Sequence, residues 1–207
     1  MKKNGFFAIF TAITVIFAMG IFSGCIIGGD FGNGRIISQE RTVSGFNKVK
    51  MEGVGDVTIH PGVQYHGQDY AAIVTTDSNI QDVVTVSVDG STLFINTKRH
   101  INFIPTKLSV DIYTPELHSV SLKGVGDIEV GSGSTANLKL SLSGVGDIKA
   151  QKYEAQNVEV QFSGTGDVKT WATTTLTGKL SGVGNILYRG SPTINVEKTG
   201  IGQVKKL

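Results

Sequence analysis

The sequence predicts an all-β protein, a β-solenoid wound in coils of 18–20 residues. Two observations carry that expectation. A short unit, Gly-x-Gly-[Asp/Asn/Gln]-aliphatic, occurs at residues 53–57, 124–128, 144–148, 164–168, 182–186 and 200–204. Around the unit, residues alternate strictly between apolar and polar parity, the signature of strands with one buried face. Val120, Leu122, Gly124, Gly126, Ile128 and Val130 share one parity; Ser121, Lys123, Val125, Asp127 and Glu129 share the other.

From the second copy onward the units are spaced by 20, 20, 18 and 18 residues, with no helical period between them. Strands recurring that often suit a chain that returns to stack on itself, placing equivalent residues about 4.8 Å apart. A meander sandwich is the competing architecture, because turn signals also recur in sandwiches. The near-constant period favours the solenoid. Both glycines fall on the inward parity, which reads as a corner too narrow for side chains or one requiring positive φ.

The elements follow in order. Lys2 and Lys3 precede an apolar run at 6–22, 17 residues long. That is short for a membrane-spanning helix, which needs about 20 residues, and suits the core of a signal peptide. Phe22-Ser23-Gly24-Cys25 then resembles the lipobox of bacterial lipoproteins, with Phe22 where Leu is usual. Cys25 is the only cysteine. The resemblance implies a signal peptide at 1–24 and a lipidated Cys25 that ties the protein to a membrane. Residues 25–41 are expected to form a tether, glycine-rich over 26–34, and residues 42–207 the β-domain. Ile26, rather than an acid, after Cys25 favours outer- over inner-membrane sorting by resemblance to enteric rules.

Removing residues 1–24 takes two lysines and no acid, leaving 17 basic against 17 acidic side chains. Such a surface has no electrostatic reason to seek nucleic acid. No cysteine remains for a disulfide or a thiolate metal site.

The first unit stands 71 residues before the second. If coils continue across that gap, it holds three or four turns with insertions. Within it, the alternating run 84–88, the Asp89-Gly90 turn and the apolar run 93–95 predict a hairpin. Leu108, Val110 and Ile112 predict a strand ended by Pro115. Lys205 and Lys206 on the last coil discourage edge-to-edge addition of another molecule.

The repeated unit, the opening Val43, Ser44, Gly45 and Phe46, and the Pro115-Glu116-Leu117 entry resemble the GIN domain. That family is named as an auto-transporter adhesin head domain, and the resemblance runs from Phe46 to Val204. It implies a right-handed parallel β-solenoid in an envelope lipoprotein, and it carries no catalytic residues.

The candidate site is the ladder Asp56, Asp127, Asp147, Asp167 and Asn185. Stacked carboxylates about 4.8 Å apart repel by about 3.5 kcal/mol per pair at an effective dielectric of 20. Backbone N–H groups at the glycine corners are expected to offset this; a bound cation or sugar hydroxyls are the alternatives. The nine-residue calcium repeat of other solenoids has a different Gly–Asp offset, so no calcium and no other cofactor is assigned. His60, His66, His100 and His118 fit no zinc spacing.

Polysaccharide lyases also use solenoids, but need an acid cluster with Arg or Lys as base. The regular coils contain one arginine, Arg189, although Lys123, Lys149 and Lys169 lie near the ladder. The outward Val125, Val145, Thr165 and Val183 form an apolar stripe, a binding surface unless a loop or N-terminal strand covers it. The sequence therefore points to a non-enzymatic, lipid-anchored envelope module. Its partners would be a glycan, an envelope protein or copies of itself. A pure scaffold and a carbohydrate-active enzyme are the alternatives.

Overall fold

The computed structural model describes residues 30–97 and 103–207. The chain enters through β1 (Asp30–Phe31) and β2 (Ile36–Arg41), and the first repeat is β3 (Lys48–Met51) and β4 (Asp56–Pro61). An excursion follows: β5 (Ala71–Asp77), a 3-10 turn at Gln81–Val83, β6 (Val84–Asp89), β7 (Thr92–Thr97), β8 (Phe103–Ile104) and β9 (Leu108–Thr114). The remaining repeats are β10 (Ser119–Leu122), β11 (Ile128–Val130), β12 (Gly133–Leu142), β13 (Ile148–Phe162), β14 (Val168–Leu180), β15 (Ile186–Arg189), β16 (Thr193–Lys198) and β17 (Val204–Lys206). The fold is all-β, as expected, with no α-helix among the described residues.

Fifteen strands join in one sheet that bends through the glycine corners; β1 and β8 pair separately. Repeat-equivalent residues stack in parallel register. Val49, Val120, Leu140 and Val160 form one column. Val57, Ile128, Ile148, Val168, Ile186 and Val204 form another. The apolar parity lines a continuous core: Leu122, Ile128, Leu140, Leu142, Ile148, Val160, Val168 and Leu180 are fully buried. The aliphatic alternation is what drives the sheet to close on itself, since each buried side chain of this size contributes about 1.5–3 kcal/mol.

The 71-residue gap is not three or four further turns. The first repeat lies directly against the second, β3 on β10 and β4 on β11. The excursion adds a single rung on the far side, with β7 parallel to β3 and β9 parallel to β4. It then closes that end with antiparallel strands, β6 on β7 and β5 on β9, with β2 outermost on β5. Dividing the gap by the period counts residues but not direction, and β5 and β6 run backwards. The β6–β7 hairpin turns at Gly90, φ 57°, and β9 ends before Pro115, both as read from sequence.

The folded part also begins earlier than residue 42. β2 makes six antiparallel pairs with β5, so 36–41 belong to the sheet rather than to a tether. As an edge strand with both faces largely open to solvent, β2 shows no alternation. Side chains pin it instead. Buried Gln81 donates to the carbonyls of Ile37 and Val74, 2.9 and 3.1 Å, and Arg41 donates to the Gln81 carbonyl. Nearby, the buried Asp77 carboxylate accepts the backbone N–H groups of Gly34 and Thr106, 2.7 and 2.8 Å. Burial alone would raise the Asp77 pKa, but these bonds hold it below its ordinary value.

Candidate binding surface

Each of the six repeats turns through Gly-x-Gly followed by Asp, or by Asn185 and Gln203 in the last two. At the first glycine a Cβ would land on the carbonyl oxygen of the glycine one rung below, Gly144 on Gly124 and Gly164 on Gly144. At the second, φ is positive, 132° at Gly146 and 136° at Gly166. The first glycine is thus required by the approach of one rung to the next along the stack, not by a narrow interior. The backbones interlock there: Val145 N–H donates to Gly124 O at 3.0 Å and Gly146 N–H to Thr165 O at 2.9 Å.

The residue between the glycines points out. Val54, Val125, Val145, Thr165, Val183 and Ile201 bridge in sequence, one per rung, into a single ridge. Its aliphatic members are about half exposed or more, from 47% at Val54 to 74% at Ile201. No described element covers the ridge. At about 4.8 Å per rung it is roughly 24 Å long.

The Asp ladder runs beside it and is stapled rung to rung. Asp56 Oδ1 accepts the backbone N–H of Asp127 at 3.0 Å, Asp127 that of Asp147 at 2.9 Å, and Asp147 that of Asp167 at 2.8 Å. Asp167 Oδ1 accepts from Asn185 at 2.8 Å, and Asn185 Oδ1 from Gln203 at 3.1 Å, which makes Gln203 the last step. The donor is the next rung's own ladder residue. Lys149 Nζ adds an ion pair to Asp127 at 2.6 Å. Burial pushes the Asp127 pKa up, but the bonds from Lys149 and the Asp147 N–H, with the charges of Lys149 and Lys169, hold it below its ordinary value.

Two outcomes follow for the ladder. Asp147→Ala leaves the Asp167 N–H without its acceptor and is expected to cost about 1 kcal/mol, whereas Asp147→Asn stays within about 0.5, because Asn185 already serves as acceptor. The depressed Asp127 pKa means its stabilisation is complete above the unfolded value of about 3.9 and is lost as pH falls through the folded value. Urea melts of both variants and wild type, from neutral pH to about 3, check this. A ladder variant more stable than wild type at neutral pH would show that repulsion between rungs outweighs the bonds.

The other sequence candidates scatter. His60 Nε2 lies 3.1 Å from Asp111 and His118 Nε2 3.4 Å from Glu116. Lys123 pairs with Glu52 at 3.3 Å. Cys25 and His100 lie outside the described residues. Among the described residues no three His, Cys, Asp or Glu side chains converge as metal ligands. The fold also gathers the rings of Tyr65 and Tyr113 with His60 and His66 on one outer face. No periodic signal marks them, since they come from a strand end, a loop and β9.

Fold and surface together define a stacked β module that presents a repeated outer face. Residues 45–132 and 119–192 match the family described as "Putative auto-transporter adhesin, head GIN domain", and the chain belongs to that family. The description is that of an adhesin rather than an enzyme. A "putative adhesin" from Bacteroides fragilis has a similar crystal structure, with 25% identity and a TM-score of 0.58 over 86% of this chain and 100% of that one. A "putative lipid binding protein" from Parabacteroides distasonis shares the fold at 18% identity and a TM-score of 0.50, over 87% of this chain and 100% of its own. No curated protein matches the chain.

Proposed function

We propose that this protein is a lipid-anchored adhesin-like module of the bacterial cell envelope, tethered through Cys25, whose exported part is a right-handed parallel β-solenoid. The observation that carries the binding role is the exposed aliphatic ridge beside a ladder whose carboxylates already accept backbone N–H groups. A ridge that is aliphatic at five of its six rungs and covered by no described element has surface left to bury on a partner, while the ladder beside it serves the stack. The partner is a glycan, an envelope protein or a second copy. The arginine of the regular rungs supports a binding rather than a lyase role: Arg189 stacks over Trp171, 4.4 Å from the ring centre, and donates to Gln151 O.

Full-length protein extracted in detergent is expected to retain partners from envelope extracts or glycan panels without releasing a hydrolysis or elimination product. Product formation would make it an enzyme; neither binding nor product would leave a scaffold. Cys25→Ala is expected to abolish anchoring, read as loss of labelled fatty-acid incorporation and of detergent-phase partition. Continued incorporation into the variant would refute the lipid anchor.

A further inference from the structure

We propose that the outer face formed by β4, β9 and the loop 62–70 is a saccharide-binding site; this deepens the binding-module reading and rests on it. The rings form one contiguous cluster. His60 stacks on Tyr113 with centroids 4.5 Å apart and planes 18° from parallel, Tyr65 leans on Tyr113 at 5.1 Å, and His66 meets Tyr65 edge-on at 4.3 Å. His66 is exposed, and Tyr65, His60 and Tyr113 are each partly exposed. Rings of this size left at the surface still have apolar area to lose to a ligand.

The loop that supplies Tyr65 and His66 is held in one shape. Gly62 N–H donates to Thr114 O at 2.8 Å, Tyr65 and Gln68 exchange both backbone bonds at 2.9 and 2.8 Å, and Gln64 Nε2 donates to Asp69 at 2.8 Å. His66, φ 49°, is the one non-glycine residue among those described with positive φ. Such strain costs free energy and persists at functional positions when the surroundings impose it.

Beside the ring cluster, Asp111 bonds His60 Nε2 at 3.1 Å through one oxygen, and its side chain is 39% exposed. An ionised carboxylate has about four acceptor positions. Those remaining can take hydroxyl groups from a sugar whose C–H face lies against the exposed His66 and the Tyr65 ring beside it. The same rings do not form a cage for a quaternary ammonium, since neighbouring centroids only 4.3–5.1 Å apart leave no gap for one. A groove of about 510 Å³ elsewhere, lined by His118, Asn137, Lys139, Asn157 and Glu159 among others, offers polar groups but neither Tyr nor Trp.

The test uses full-length protein in detergent with immobilised cellohexaose, chitohexaose, mannohexaose and laminarihexaose as probes, and choline chloride as competitor. Wild type is expected to bind at least one probe. Tyr65→Ala and Asp111→Asn should each weaken that binding at least about tenfold with unchanged melting, while Tyr65→Phe and the distant surface variant Lys179→Ala stay within about threefold. Undiminished binding by both Tyr65→Ala and Asp111→Asn would place the saccharide elsewhere and overturn the site while the module reading stands. Displacement of the probe by choline would assign the rings to a cation and also overturn it. No probe bound, with envelope proteins still captured, removes this site alone; no partner of any kind removes both readings.

Discussion

Gly146→Val is expected to bring the domain to the edge of unfolding. The new side chain meets the Gly126 carbonyl oxygen of the rung below, at a residue whose φ is 132°. Overpacking costs about 1–3 kcal/mol and the backbone strain about 1–3 more. The rung must also shift, weakening the bonds Val145 N–H to Gly124 O and Gly146 N–H to Thr165 O, about 1 kcal/mol each. A total of roughly 4–8 kcal/mol is comparable to the whole stability of an ordinary domain, about 5–15. Val145→Thr, one residue away but outward, should stay within about 0.5 kcal/mol. Urea melts followed by circular dichroism decide it. Equal midpoints with equal m-values for the two variants would show that the glycine corner can yield.

Tyr153→Ala should cost about 3–5 kcal/mol, the range for removing a large buried aromatic side chain. Tyr153 is 1% exposed and among the largest fully buried side chains. Its hydroxyl lies 3.2 Å from both the N–H and the carbonyl of Leu117, tying the start of the second repeat to β13 two rungs above. Burial raises the phenol pKa, although the Leu117 backbone bond pulls the other way, so the group stays a neutral donor at neutral pH. Tyr153→Phe keeps the packing and removes only the hydroxyl, at about 1 kcal/mol. The gap between the two variants measures packing apart from hydrogen bonding. A Phe variant as unstable as the Ala variant would mean that the Leu117 bond, not the ring, holds this corner.

The regular rungs were legible because their physics repeats. Leu140, Val160 and their neighbours alternate at a fixed period, so residue type, parity and spacing all point to the same stack. The glycines were recognised as corners, but their reason was not visible: parity places Gly144 inward, whereas the contact that excludes a side chain lies along the axis, with Gly124. That contact belongs to two residues 20 apart in sequence and appears only after the register is known. β2 escaped notice for the opposite reason, since an edge strand held by Gln81 and Asp77 needs no apolar alternation. The ring cluster of His60, Tyr65, His66 and Tyr113 occurs once, and no local motif joins its members. The Asp ladder was identified residue by residue from sequence, while its donors, the N–H groups of the following rung, required the coordinates.

The direct contact of the first repeat with the second sets the order in which the molecule can assemble. From residue 119 upward, each rung closes a loop of 18–20 residues, and the stack can grow by local steps. Joining Val57 to Ile128 instead closes 71 residues, and by chain-entropy scaling this costs about 1.1 kcal/mol more than closing 20. That closure is recovered only when β7 and β9 dock beneath the first repeat and β2, β5 and β6 seal the end. The C-terminal rungs are therefore expected to stack by local steps, with the seam between Val57 and Ile128 closing later. Because β3 pairs with β7, β4 and β5 with β9, and β6 with β7, the opening half has partners of its own, and the two halves meet at a single seam, β3 on β10 and β4 on β11.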